Sequence, residues 1–466
     1  MFSQTKIGMA NSLEQESTKS LSQRFYTVQT IKRHEPNASQ LSISYNQQLQ
    51  KTPNTRIMCK SAEDVRNSIQ ALTQSGTPFS VRSGGHCFAG FSQHEQAVLD
   101  VRSMKGIEID PSTARVSVDA GVTLHEAYAA LAPMNLTLPG GVHPNVGLAG
   151  ITLGGGVGYL SRQYGLLCDR LESVELVDAS GNLLVASANE HADLFWACKG
   201  GGGGNLGVAA RFVFNAVRTT TQHAIVIVDT VTPERMAAIL EIWPIWSQRA
   251  PRHTTTHLDF TLYPNGKFLV ILTGISSEPD RGKLMKQLQL VMQDPDPIHP
   301  NYVTTGPMEA MIPKLHKLHE YVSDSFVGNS DYLKGGISAQ GAADIVATML
   351  RHPPGSIKII IEPMLGAVND VEPSETAYPH RRSAFLIQYL AEFLGPEEHT
   401  SRRAVIKDTA RAFEPFTTGG KYVNYPDLNL KNWQQAYWGD NFARLQEVKR
   451  KYDPDNVFNH AQSIPL

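Results

Sequence analysis

The spacing of hydrophobic positions divides the chain into regions of different character. From about residue 55 to 215, short apolar runs alternate with amphipathic stretches. TRIMCK (55–60) predicts a strand. SAEDVRNSIQALTQSG (61–76) predicts a helix, opened by Ser61 and first-turn acids and stopped at Gly76. PFSVRSGG, AVLDV and RVSVDAG predict short strands, and TLHEAYAALAPM a helix with Thr123 and Glu126 spaced as a capping box. ESVELVDASGNLLVAS predicts a hairpin turning at Gly181-Asn182. In the middle of the chain the period becomes two. Leu258, Phe260 and Leu262 alternate, the chain turns at Asn265-Gly266, and Phe268, Val270 and Leu272 alternate again, an antiparallel hairpin. SIKIIIEPML and SAFLIQYLAEF predict two further strands, and helices such as PERMAAILEIWPIWSQ and GKLMKQLQLVMQD lie among the strands of this region. The last fifty residues carry KYVNYPD, the helix NFARLQEVKRKYDP and the stretch NVFNHAQSIPL. The class is α+β, with an antiparallel sheet backed by helices following a glycine-rich alternating region.

Length and composition narrow the function. A chain of 466 residues exceeds one ordinary core, so two or three domains are expected. Hydrophobic residues at 41% and charged ones at 18% fit a globular protein. A net charge of −2 leaves no cationic excess to displace counterions, which argues against a nucleic-acid partner. Lys449-Arg450-Lys451 is expected to form the polar face of a helix. No apolar run approaches the roughly twenty residues that span a bilayer, so no membrane partner is expected. Residues 1–35 read as a polar tail without a signal-type segment. Cys59, Cys87, Cys168 and Cys198 have no C-x-x-C spacing, which favours a reduced, cytoplasmic setting.

Three glycine clusters then stand out: Ser83-Gly84-Gly85, ITLGGGVGYL (151–160) and KGGGGGNLGV (199–208). Each alone could be a turn. Together, flanked by strand-like runs, they fit loops that bring backbone N–H groups against a diphosphate. Common alternatives fail. No P-loop motif is present, and GGGVG lacks the spacing and later acid of a nicotinamide dinucleotide site. There is no H-E-x-x-H, and HKLHE at 316–320 has the wrong order, so no metal is expected. No G-x-S-x-G anchors serine chemistry.

VRSGGH (81–86), followed by GGVHPNVGLAGITLGGGVGYLSRQYGL (140–166) and ending in YVNYPD…YDPDNVFNHAQSIP, resembles the FAD-linked oxidases of the vanillyl-alcohol-oxidase type. Closer still is the berberine-bridge-enzyme-like branch, which includes 6-hydroxynicotine oxidase and several carbohydrate oxidases. The resemblance implies a two-domain FAD-linked oxidase fold. Residues 36–218 would form the FAD-binding domain, 219–415 a substrate domain, and 416–466 a segment returning to the first. It implies a single covalent link from His86 to the 8α carbon of the flavin. A neutral imidazole is a nucleophile near physiological pH, which suits that bond. Many relatives add a second link from a cysteine in G-x-C-P-x-V-G. Here His143 replaces it within Gly141-Val142-His143-Pro144-Asn145-Val146-Gly147.

By the same resemblance, Arg82, Ser83, Gly84, Gly85, His143, Val146, Gly147, Gly150, Gly154, Gly155, Gly156, Gly158, Val208, Asn424 and Asn459 are expected around the cofactor. Valine at 146 is associated with room for dioxygen. Tyr425 is expected as the base that removes a heteroatom proton during hydride transfer, with Tyr422 beside it and Gln388 orienting substrate. Tyrosines three apart face opposite sides of an ideal strand, so their stretch must be irregular for both to reach the flavin. Phe88, where carbohydrate oxidases of this branch tend to present a tyrosine, shifts the expectation toward a less polar, aromatic alcohol or amine. The expected activity is an oxidase using a small-molecule substrate and dioxygen and releasing hydrogen peroxide. A dehydrogenase with another acceptor, or a flavoprotein that only binds a ligand, are the alternatives.

Overall fold

Alternation of small apolar strands with glycine turns builds two sheets before residue 219, and strict period-two alternation builds a larger third. The structure is a computed structural model and describes residues 28–466 apart from 220, 278–280, 294–299, 308–310, 312–314 and 316–324. Residues 1–27 of the expected tail and the HKLHE stretch lie outside the described residues.

The first sheet holds β1 (Gln29–Lys32), β2 (Thr55–Met58), β3 (Phe79–Arg82) and β4 (Ala97–Asp100) in the order β1-β2-β4-β3. β2, β4 and β3 run parallel, as a helical crossover requires, and the helix Ala62–Gln74 supplies the first one. Ser61 caps that helix by accepting from the Asp64 N–H. β1 adds antiparallel to β2, with Gln29 opposite Met58. Part of the stretch expected to be tail, before residue 36, thus belongs to this sheet, where Ile31 packs with Ala38 and Met58.

The second sheet is antiparallel. β5 (Ile107–Asp110), β6 (Arg115–Asp119), β8 (Leu171–Val177), β9 (Leu183–Ser187) and β10 (Val208–Asn215) follow the order β5-β6-β10-β8-β9. A short pair, β7 (Leu136–Thr137) with β11 (Val217–Arg218), lies apart from it. The Thr123/Glu126 capping box forms as expected at the helix Leu124–Leu131.

The third sheet has seven antiparallel strands: β12 (Gln222–Val231), β13 (Thr254–Leu262), β14 (Phe268–Ser276), β15 (Tyr302–Gly306), β16 (Phe326–Leu333), β17 (Lys358–Pro363) and β18 (Phe385–Glu392). Their order is β15-β12-β14-β13-β17-β18-β16. Both faces are buried. Ile225, Leu258, Phe260, Ile359 and Ile361 enter a core with the helices Pro233–Arg249, Arg281–Met292, Ala339–Leu350 and His399–Phe413. Their neighbours Ala224 and Val226, with Tyr332, Met364 and Leu386, enter the core of the first two sheets. The pleat thus splits one sheet between two cores.

The C-terminal segment packs on the first unit. Its helix Phe442–Tyr452 carries Lys449, which the sequence placed on a polar face; it is instead fully buried. Its ammonium donates to the carbonyls of Asn205 (2.8 Å) and Phe458 (2.6 Å) and pairs with Asp453 (2.6 Å). Three acceptors, one from the Asn205 loop and two from the C-terminal segment, replace solvent around one cation. Among the described residues, no helix is long and apolar enough to cross a membrane.

Candidate active site

Two loops meet backbone to backbone at the foot of the site. A Cβ on Gly84 would lie 2.2 Å from the Gly147 nitrogen, and one on Gly147 would lie 2.3 Å from the Gly84 nitrogen. Only glycine permits that approach. Gly85 follows at φ +78°, and His86 emerges on the far side of the turn. Arg82 was expected beside the cofactor, but its side chain runs underneath this loop and is fully buried. Its Nη2 donates to the Ile43 carbonyl and would lie 2.4 Å from a Cβ at Gly85. Desolvation, with Arg102 nearby, pushes its pKa down to about 9. Arg82 braces the loop rather than lining the cleft. Ser83 donates to the Ala120 carbonyl and does line it.

Aromatic rings lead from His86 across the cleft. His86 stacks on Tyr45 at 4.3 Å and meets His143 edge-on at 4.5 Å. Tyr45 faces Phe88 at 6.1 Å, and Phe88 stacks on Tyr425 at 5.2 Å and 13°. Tyr45, which the sequence reading missed, is placed by its N–H donating to the Gly85 carbonyl. Its neighbour Asn46 donates to the carbonyls of Phe88 and Phe326. No local pattern marks it; its role arises from contacts forty or more residues away.

Tyr422 and Tyr425 are not on a strand. The Tyr425 N–H donates to the Tyr422 carbonyl at 2.9 Å, closing a turn that brings the rings to 5.0 Å. That turn is the irregularity their spacing demanded. The Tyr422 hydroxyl is committed inward: it accepts from the Gly156 N–H (3.0 Å) and from the Asn424 amide (2.9 Å), which also donates to the Ile151 carbonyl. Burial raises the Tyr422 pKa above its ordinary value. Asn424 lines the cleft while fastening the glycine turn beneath it.

The roof is the third sheet. Cross-strand register sets Asp259, Ile360, Gln388 and Ser330 in one row across β13, β17, β18 and β16. Gln388 and Ile360 line the cleft, and the Ser330 hydroxyl accepts from the Tyr422 N–H. Two strands' alternation adds residues the sequence reading missed. His257 and Glu362 also line the cleft, with His257 Nδ1 3.7 Å from Glu362 Oε1 and Tyr159 stacked on the imidazole at 4.0 Å. Burial, with Asp259 nearby, pushes the Glu362 carboxyl up to about 8.

Of the remaining expected residues, His143, Val146, Gly147, Gly150, Gly158 and Asn459 line the cleft. The exposed Asn459 amide donates back to Asn456. Gly154, Gly155, Gly156 and Val208 do not line it. A Cβ at each of those glycines would meet Asn424, Tyr378 or Leu167, so they serve close packing behind the cleft. Val208 points into the core at the start of β10, while Gly207 and Ala209 face the opening. Gly202, Gly203, Gly204 and Asn205, noted as a cluster but not assigned, are on the wall, as is His460, whose pKa desolvation pushes down to about 3.

The cleft encloses about 2100 Å³ of empty space, its open mouth included. Side-chain-free backbone at Gly84–Gly85, Gly147, Gly150 and Gly202–Gly204 forms a cradle that added Cβ atoms would narrow. A cleft of this size, lined by glycine loops and by aromatic rings, fits an FAD.

Comparison with known proteins agrees. The FAD binding domain family matches residues 53–187, and the family described as berberine and berberine like matches 421–465. An uncharacterized FAD-linked oxidoreductase of Bacillus subtilis (strain 168), YgaK, is 29% identical over 445 residues, covering 94% of this chain and 97% of its own. The aclacinomycin-N/aclacinomycin-A oxidase of Streptomyces galilaeus is 28% identical over 474 residues, covering 90% and 86%. Among solved structures, the berberine-bridge-enzyme-like 1 protein of Physcomitrella patens superposes with a TM-score of 0.86 at 24% identity, over 97% of this chain and 99% of that one. Chitooligosaccharide oxidase superposes with a TM-score of 0.85 at 24% identity, over 96% and 99%. The glycine-lined cleft therefore belongs to an FAD-linked oxidoreductase, whose chain carries an FAD binding domain and a berberine-like domain and is similar over most of its length to the berberine-bridge-enzyme-like proteins.

Proposed function

We propose that this protein is an oxidase that takes hydride from a C–H bond beside an alcohol or amine and passes the electrons to dioxygen, with FAD held through one covalent bond to His86. The observation that carries this reading is the convergence of His86, Tyr425 and Gln388 on one cleft. Bound FAD supplies the hydride acceptor. His86 would hold it at the Gly84–Gly85 loop, and Gly202–Gly204 present no bulk where a diphosphate would lie. Tyr425 Oη takes the hydroxyl or amine proton as the substrate C–H bond breaks. The Gln388 amide, both donor and acceptor, orients the heteroatom. Phe88 and Ile360 keep water from the reacting carbon. Dioxygen as acceptor is supported by Val146 on the cleft wall and by the relative named as an oxidase. All four cysteines are free, which supports a reduced, cytoplasmic setting.

Two measurements test it. The purified protein should stay yellow after acid denaturation, with one flavin on the peptide containing His86. His86→Ala should release all of its flavin under those conditions, and His143→Ala should retain it. Mass spectrometry finding two bonds, or none, would overturn the single link. Oxygen consumption with a panel of alcohols and amines tests the acceptor: reduction of a dye without oxygen uptake makes the enzyme a dehydrogenase, and no flavin reduction makes it a ligand-binding flavoprotein.

A further inference from the structure

The cleft walls are almost uncharged. Among the described residues that line it there is no lysine or arginine, and Glu362 is the one carboxylate. Glu362 is 8% exposed, and its Oε2 has no hydrogen-bond partner. Its Oε1 lies 3.7 Å from His257 Nδ1, beyond hydrogen-bond length. The other titratable groups facing it are Asp259 on β13, paired at 3.9 Å with Lys358, and Tyr159, stacked on His257 from the opposite wall. A buried carboxyl with an open oxygen is costly unless something donates to it.

We propose that Glu362 anchors a basic nitrogen, so that the substrate is an amine carried in as its ammonium on an apolar or aromatic body. This deepens the oxidase reading above and rests on it. Neighbouring Asp259 has its own partner in Lys358, and no lysine or arginine on the walls competes for Glu362. Ile360 beside it, with the ring faces of Phe88 and Tyr425, offers the apolar contact and cation–π surface that an aromatic ammonium uses. A sugar would need several neutral donors and acceptors, and the lining part of the roof's central row supplies only Gln388 for that purpose. Because burial holds the empty Glu362 carboxyl near a pKa of about 8, the anion that pairs with ammonium grows in as pH rises through that value.

The test is binding, independent of turnover. The full holoenzyme, its flavin content first confirmed by visible absorbance, is titrated calorimetrically with benzamidinium, an N–H donor that stays cationic across the range, and with neutral benzyl alcohol. The cation should bind about tenfold or more tightly at about pH 9 than at about pH 6.5, and benzyl alcohol equally at both. Glu362→Gln keeps the shape and removes the charge. It should abolish that pH dependence and weaken the cation about tenfold at the higher pH, leaving benzyl alcohol unchanged. If the variant does not fold, the wild-type pH series decides alone. Absence of cation binding, binding that ignores pH, or equal losses for both probes overturns the proposal. A chain that carries no flavin fails earlier and overturns the cofactor reading instead.

Discussion

Replacing Tyr425 with phenylalanine should slow reduction of the bound flavin by substrate about a hundredfold or more, the scale of a lost positioned base. That is about 3 kcal/mol of transition-state stabilisation. Only one oxygen is removed. The ring keeps its stack on Phe88 and its edge contact with Tyr422, so fold and flavin content should match wild type. Reoxidation by dioxygen should be unchanged, because Val146 and the Gly84–Gly147 contact are untouched. Stopped-flow traces that separate reduction from reoxidation check this, and equal reduction rates would remove Tyr425 from the mechanism. Tyr422→Phe should behave differently. It deprives the Gly156 N–H and the Asn424 amide of their shared acceptor, so its cost falls on stability and flavin retention, about 1–3 kcal/mol.

Lys449→Met should destabilise the protein by about 3–5 kcal/mol, the range for removing one partner of a buried ion pair. Lys449 and Asp453 are both fully buried, and the ammonium also holds the Asn205 and Phe458 carbonyls. Without it, Asp453 keeps the Val457 and Phe458 N–H donors but loses its counter-charge. The Asn205 end of the Gly202–Gly204 wall loses its tether at the same time, so flavin content should fall with stability. Adding Asp453→Asn removes the stranded charge and should recover part of the loss. Denaturant unfolding of the two variants measures both effects; a loss under about 1 kcal/mol for Lys449→Met would show that the tether is not needed.

Local signals carried much of this architecture in the sequence. Ser61, the Thr123/Glu126 box and the Asn265-Gly266 turn act within a few residues, and each forms where its chemistry placed it. The motif residues His86, His143, Tyr425 and Gln388 could likewise be named, and they come to one cleft. What stayed hidden depends on tertiary contacts. Tyr45 acquires its place only by meeting Gly85 and His86, and Glu362 reads as one more residue of an apolar strand until β13 brings His257 opposite it. Lys449 misled for the complementary reason: a basic run predicts a solvated face unless the acceptors that would bury it are known. Arg82 and Gly154–Gly156 share a motif with residues that line the cleft, but motif membership does not distinguish a wall from its support.

The pleat of the third sheet has an evolutionary corollary. His257, Ile360, Glu362 and Gln388 belong to one face, while their chain neighbours Leu258, Ile359, Ile361 and Ile387 are packed among helices on the other. A change of clientele can therefore be written entirely in one parity of positions, as if on alternate letters of a text, without disturbing the scaffold spelled by the rest. Diversification at these four positions alone would explore new substrates at little risk to folding.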